Sequence, residues 1–222
     1  YADLRLQELI ECQLKILHTR FMFPLVYHVL PQREAIIYED KVVSVTSFPL
    51  KHHYEAPVCG FLFREKKRER TIRKDMTTAW NVPIAFMQYL KKGADFITPD
   101  GEIIANARLT VAPPPSRSYA YMTDTLFRER FAGYVQGVDL LYHEATYSKE
   151  DQKLAKDSFH STAEQAACIA QLAKVRKLLL GHFSARYPDP VCLLPEARAI
   201  FPETYICHDG EVYDVPAIKR NI

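Results

Sequence analysis

Four strand-like runs each lead to a residue that can bind a metal ion or move a proton. Residues 42–46 lead to His52, 118–122 to Asp124, 138–142 to His143-Glu144, and 177–180 to His182. In the second half of the chain these runs alternate with helix-like stretches at 126–132 and 163–174, which predicts a layered α/β fold. Ligands in such folds collect beyond the carboxyl ends of the strands. One histidine at a strand end is ordinarily structural, but four such ends predict a single His/Asp cluster. Neutral imidazole and carboxylate suit Zn²⁺, and an aspartate has two oxygens with which to bridge two ions about 3.5–4 Å apart. The residues alone therefore point to a metal hydrolase and leave its substrate open.

The remaining segments are simpler to read. Leu6, Leu9, Ile10, Leu14 and Leu17 recur at helical spacing, which predicts an amphipathic helix over 3–17 with Glu8, Glu11 and Lys15 toward solvent. The runs at 35–38 and 41–46 fit a hairpin or two adjacent strands, and 59–63 fits a further strand. Residues 64–110 are charged, dotted with aromatics and punctuated by Pro83, Gly93, Pro99 and Gly101, as expected of an inserted arm. Its first part, 64–74, carries seven basic and two acidic side chains, a local +5 in a chain whose net charge is only +2. Ser161-Thr162-Ala163-Glu164 reads as a capping box with Ser161 as the cap, and it sets His160 just outside a helix.

Composition narrows the choices further. A 222-residue chain that is 48% hydrophobic can bury a proper core. Its seven glycines, about half the usual share, include no glycine-rich phosphate loop. Cys12, Cys59, Cys168, Cys192 and Cys207 form no C-x-x-C pair and are expected to be reduced. No run approaches the roughly 18 apolar residues of a membrane span, and the start lacks a secretory pattern, so a cytoplasmic location without a membrane is expected.

Three segments carry a specific likeness. His143-Glu144-Ala145-Thr146, His160-Ser161-Thr162-Ala163-Glu164-Gln165-Ala166-Ala167 and Gly181-His182-Phe183-Ser184-Ala185-Arg186-Tyr187 resemble, in order and spacing, the signature motifs of ribonuclease Z in the metallo-β-lactamase superfamily. The likeness covers roughly 40–215 and includes Asp124-Thr125 and Asp209-Gly210. It implies a metallo-β-lactamase αββα sandwich across 1–222, with 64–110 as a substrate-binding arm. It also implies a zinc-dependent endoribonuclease that removes the 3′ trailer of precursor tRNA, leaving 3′-hydroxyl and 5′-phosphate ends.

By the same resemblance His52, Asp124 and His182 are metal ligands for two zinc ions, with Mn²⁺ or Mg²⁺ as substitutes, and Asp124 bridges them. His160 and Glu144 form a proton-transfer pair, and Arg186 lies near the scissile phosphate. Arg64, Lys66, Lys67, Arg68, Arg70, Lys91 and Lys92 supply the stripe that grips tRNA phosphates. Trp80, Phe86 and Tyr89 either stack on bases or pack the arm. His143 has either a direct role or that of a hydrogen-bond partner. A homodimer is expected from the family's short forms.

The sequence departs from the family pattern in three ways. His-x-His-x-Asp-His, the first metal motif, does not occur in these residues, so the chain is expected to lack the N-terminal part of the sandwich. Thr123 stands where glycine is common. The stretch from His52 to Gly60 is slightly long, which leaves His53 as a competitor to His52. Two other readings stay open: a binuclear hydrolase of small phosphodiesters, and a non-catalytic binding subunit.

Overall fold

The computed structural model describes residues 1–53 and 57–215. Residues 54–56 of the stretch from His52 to Gly60 lie outside the described residues, as does the end of the 1–222 domain beyond 215.

In chain order the elements are helix α1 (Leu4–Ile16) and strands β1 (Ala35–Glu39), β2 (Val43–Pro49) and β3 (Cys59–Glu65). Then follow β4 (Thr71–Ile72), α2 (Lys74–Ala79), α3 (Met87–Lys91), β5 (Phe96–Ile97), β6 (Ile103–Ile104), α4 (Asn106–Leu109) and β7 (Thr110–Val111). The chain continues through β8 (Ser118–Met122), β9 (Leu140–Glu144), α5 (Gln152–Asp157), α6 (Ala163–Leu172), β10 (Lys177–Gly181), α7 (Leu194–Arg198) and β11 (Thr204–Ile206).

The described residues form two compact units, 1–65 with 117–215, and Lys66–Ser116. The larger unit is built on one seven-stranded sheet in the order β1-β2-β3-β8-β9-β10-β11. Strands β8 to β11 pair in parallel, while β1/β2, β2/β3 and β3/β8 are antiparallel. Because two reversals separate them, β2 runs in the same direction as β8, β9 and β10. The carboxyl ends of these four strands therefore share one sheet edge, as the sequence predicts, and the site lies beyond it.

The two faces of the sheet differ. Ala120, Met122, Leu141, His143, Leu178 and Leu180 share one face and are buried with Ala166, Ala167, Ile169 and Ala170 of α6. Small alanines let the helix approach closely. Side chains alternate along a strand, so Tyr119, Tyr121 and Tyr142 lie on the other face and are only half-buried, with Tyr121 and Tyr142 stacked at 4.7 Å. In the αββα arrangement that the resemblance implies, this is one sheet with its helix layer.

Several sequence expectations are corrected in detail. The expected helix at 126–132 does not form, because Arg128 within it is extended, with φ −148° and ψ 121°. A 3₁₀ segment at Glu129–Val135 takes its place. The capping box is shifted by one residue, to Thr162 with Gln165, which bond each other's backbone N–H groups at 3.2 and 3.0 Å. Ser161 is unavailable, since its N–H donates to Glu144 and its hydroxyl to the Thr125 carbonyl. Helix α1 forms with Asp3 as its cap, yet Leu6 and Leu9 on its apolar positions stay exposed.

The Lys66–Ser116 unit has its own small core of Val82, Leu90, Phe96, Ile104 and Leu109. Asn106 organises it, donating from Nδ2 to the Leu90 and Ala94 carbonyls at 2.8 and 2.7 Å. In chain order it lies between β3 and β8, paired antiparallel strands whose ends are tied by Glu65 N–H to the Arg117 carbonyl at 2.9 Å.

Candidate metal centre and proton-transfer pair

Lys51 N–H and carbonyl both bond the Thr125-Leu126 segment, which brings the loop after β2 against the loop after β8. As a result one donor atom each from His52, Asp124 and His160 lie within 4.8 Å of one another, and so do those of Glu144, His160 and His182. His182 Nε2 is 3.4 Å from Asp124 Oδ1. The ring of His160 sits between those of His52 and His182, at centroid distances of 4.7 and 5.1 Å.

Hydrogen-bond chemistry assigns the protons on these rings. A carbonyl only accepts, so His52 Nδ1, 3.1 Å from the Phe159 carbonyl, carries the hydrogen and leaves Nε2 open to a cation. His160 Nδ1 lies 3.0 Å from Glu144 Oε2. Glu144, at the end of β9 with no exposed surface, also accepts from the Thr125 and Ser161 N–H groups and from the Thr146 hydroxyl. Burial raises its pKa, but these donors outweigh burial and hold the carboxyl below its ordinary range. For His160, burial disfavours the charge, yet the bond to Glu144 prevails and lifts the imidazole above its ordinary value.

Local backbone strain marks the same positions. Asp124, Phe159 and His182 have φ of +52°, +60° and +56°, all left-handed. Aspartate and histidine adopt that region more readily than phenylalanine, for which it costs about 1–3 kcal/mol. Thr123, in the place of the expected glycine, donates its hydroxyl to Asp124 Oδ2 at 3.1 Å. Gly181 precedes His182 because a Cβ there would collide with the Tyr142 ring.

The other sequence candidates divide clearly. His53 faces the edge of the Phe159 ring at 6.4 Å and belongs to neither donor group, unlike His52. His143 is buried on the helix-covered sheet face with its Nδ1 2.7 Å from the Glu144 carbonyl, so it acts as a hydrogen-bond partner within the sheet. Burial lowers its pKa. Arg186 also lies outside both groups. It donates to Asp151 at 3.0 Å and rests 5.5 Å over the Tyr147 ring, whose edge meets His160 at 6.4 Å.

On the basic run, Arg64 is a β3 residue of the larger unit and not part of the inserted one. Arg70 Nε donates to Thr110 Oγ1 at 2.7 Å, and Lys91 lies 3.9 Å from Glu69. Lys67, Arg68, Lys91 and Lys92 are exposed. Trp80 and Phe86 pack the small core, Trp80 beneath the Arg108 guanidinium at 5.1 Å, whereas Tyr89 remains half-exposed. The reading from sequence missed Thr146, Ser161 and Thr125 as the groups that hold Glu144; the signal for the first two was the polar stretch between β9 and α6, and for Thr125 its place directly after Asp124.

Imidazole nitrogens and carboxylate oxygens without a thiolate form a donor set that suits a borderline divalent cation, so the residues present fit the metal that this fold family implies. A mixed sheet with helices on one face and His/Asp donors beyond its strand ends is the architecture of the metallo-β-lactamase fold. Human tRNase Z, short form, aligns with a TM-score of 0.60 at 21% identity, covering 97% of this chain and 67% of that one. A metallo-β-lactamase-fold protein of Bacillus subtilis aligns at 0.52 and 14% identity, over 83% of this chain and 53% of that one.

The relatives in sequence are more specific. Ribonuclease Z of Bacteroides fragilis is 43% identical over 206 residues, 92% of this chain and 67% of its own length. That of Phocaeicola vulgatus is 40% identical over 220 residues, 99% of this chain and 71% of its own. That of Parabacteroides distasonis is 48% identical over 180 residues, 81% of this chain and 59% of its own. No family model matches. The chain belongs to the ribonuclease Z family and spans about two-thirds of the length of these relatives.

Proposed function

We propose that the protein carrying this chain is a metal-dependent endoribonuclease that removes the 3′ trailer of precursor tRNA, leaving a 3′-hydroxyl and a 5′-phosphate. The observation that carries this reading is the buried Glu144–His160 pair set against the His52, Asp124 and His182 donors. The name ribonuclease Z of the bacterial relatives supports this reading, and the fold shared with human tRNase Z, short form, is in keeping with it.

His52, Asp124 and His182 hold the metal, taken as two zinc ions with Mn²⁺ or Mg²⁺ as substitutes. When bound, it supplies a water of lowered pKa and charge to balance the phosphodiester oxygens. His160, its Nδ1 fixed on Glu144, protonates the leaving ribose oxygen from Nε2. Glu144 sets the ring's tautomer and orientation and favours its protonated form. Arg186, braced by Asp151 and Tyr147, offers its remaining guanidinium N–H groups to a phosphate. Lys66, Lys67, Arg68, Arg70, Lys91 and Lys92 bind tRNA phosphates, with Arg70 tied into its own unit. The protein acts in the cytoplasm as a homodimer.

The test replaces residues 67–115 with a short Gly/Ser turn in the full-length protein. Since Glu65 and Arg117 already lie hydrogen-bonded side by side, the sheet accepts the excision. Precursor-tRNA cleavage should be abolished while hydrolysis of a small chromogenic phosphodiester persists. Equal loss of both activities would remove the exosite role, and retained tRNA cleavage would point to a different way of holding substrate.

A further inference from the structure

Thr146 touches both halves of the site. Its buried Oγ1 lies 2.6 Å from Glu144 Oε2, 2.9 Å from His182 Nδ1 and 3.0 Å from the His182 carbonyl. A hydroxyl has one proton to donate and two lone pairs to accept with, so the three contacts cannot all be donations. The Glu144 carboxylate is the nearest acceptor and the charged one, and charge-assisted bonds are the stronger. The Thr146 proton therefore goes to Glu144, and the longer contact with the His182 carbonyl carries no hydrogen. That leaves Oγ1 as the acceptor for His182, whose Nδ1 must carry the hydrogen. The unprotonated Nε2 is then the atom 3.4 Å from Asp124 Oδ1.

We propose that Thr146 is a positioning residue that locks His182 in the Nδ1–H tautomer and ties its ring to the carboxylate that orients His160, so that this hydroxyl sets metal affinity. The chain of bonds runs from His182 Nδ1–H to Thr146 Oγ1, and from Thr146 Oγ1–H to Glu144. Metal binding at His182 and proton transfer at His160 thus share one hydroxyl. The Thr146 carbonyl makes a separate bond, accepting from Ser184 N–H at 3.1 Å, which a side-chain substitution leaves in place. The inference rests on the reading of His182 as a metal ligand.

The experiment titrates Zn²⁺ into the full-length protein against a chromophoric chelator, for wild type, Thr146→Val, Thr146→Ser and Asp124→Ala. Valine keeps the shape of threonine and removes only the hydrogen bonds. Its zinc affinity should fall roughly 10–100-fold, while serine stays close to wild type. Unchanged affinity in Thr146→Val, or equal loss in the valine and serine variants, overturns the inference while the metal site itself stands. If wild type and Asp124→Ala both fail to bind zinc, the metal reading falls and the inference with it. Long-range ¹H–¹⁵N spectra of the zinc-loaded wild-type protein give a second readout that needs no variant. They should record the hydrogen of His182 on Nδ1, and a hydrogen on Nε2 overturns the assignment.

Discussion

The edge of the large sheet and the Lys66–Ser116 unit use charge in opposite ways. At the sheet edge the central carboxylate is held by several partners: Glu144 alone accepts from two backbone N–H groups, a hydroxyl and a ring nitrogen. In the inserted unit, Lys67, Lys92 and Tyr89 lie at the surface, and the buried polar work falls to the uncharged Thr77, Asn106 and Thr110. The first arrangement suits chemistry, which needs fixed geometry. The second suits attraction of a polyanion, which needs charge and little geometry. A substitution at the edge should therefore act through geometry, and one in the inserted unit through ionic strength.

Glu144→Gln is the strongest challenge to that contrast. It keeps the shape and part of the hydrogen bonding but removes the charge facing His160, so single-turnover cleavage should fall by about 10²–10⁴-fold. A change below tenfold would mean that the pair does not move the proton. Neutralising Lys67, Arg68, Lys91 and Lys92 together should weaken precursor-tRNA binding. It should also flatten the dependence of log affinity on log salt by roughly 0.7–0.9 for each phosphate that the protein no longer neutralises, leaving the single-turnover rate at saturation unchanged. An unaltered salt slope would detach this unit from the substrate.

Gly181→Ala probes the edge without touching a charged group. Forcing a methyl against the Tyr142 ring should cost about 1–3 kcal/mol in denaturant unfolding, and it should disturb His182 next door. Thr162→Ala is the mildest case, with a loss of about 1 kcal/mol from the α6 cap and no effect on cleavage. Ser161→Ala should reverse that pattern, lowering cleavage more than stability, because its hydroxyl braces Thr125 beside Glu144.

Much of this was legible in the sequence because strand ends are marked by their own chemistry. The runs before His52, Asp124, Glu144 and His182 all appear as β2, β8, β9 and β10, and two antiparallel steps bring the first into line with the others. What escaped was competition for hydrogen-bonding groups. Ser161 has the chemistry of a helix cap, but Glu144 and Thr125 claim it first, so the cap moves to Thr162. Residues 126–132 have a helical pattern, yet Arg128 within them is extended and the helix is broken there. Arg64 looked like the start of the basic run and is the end of a strand. The cap was overridden by long-range partners that no local window contains.

The division of labour at the sheet edge is tested most directly by metal analysis of purified full-length Asp124→Ala and His160→Ala proteins alongside their cleavage rates. Asp124→Ala should lose bound metal and activity together, whereas His160→Ala should keep its metal and lose turnover. Equal metal loss in the two variants would make His160 a ligand and contradict its assignment as the proton donor.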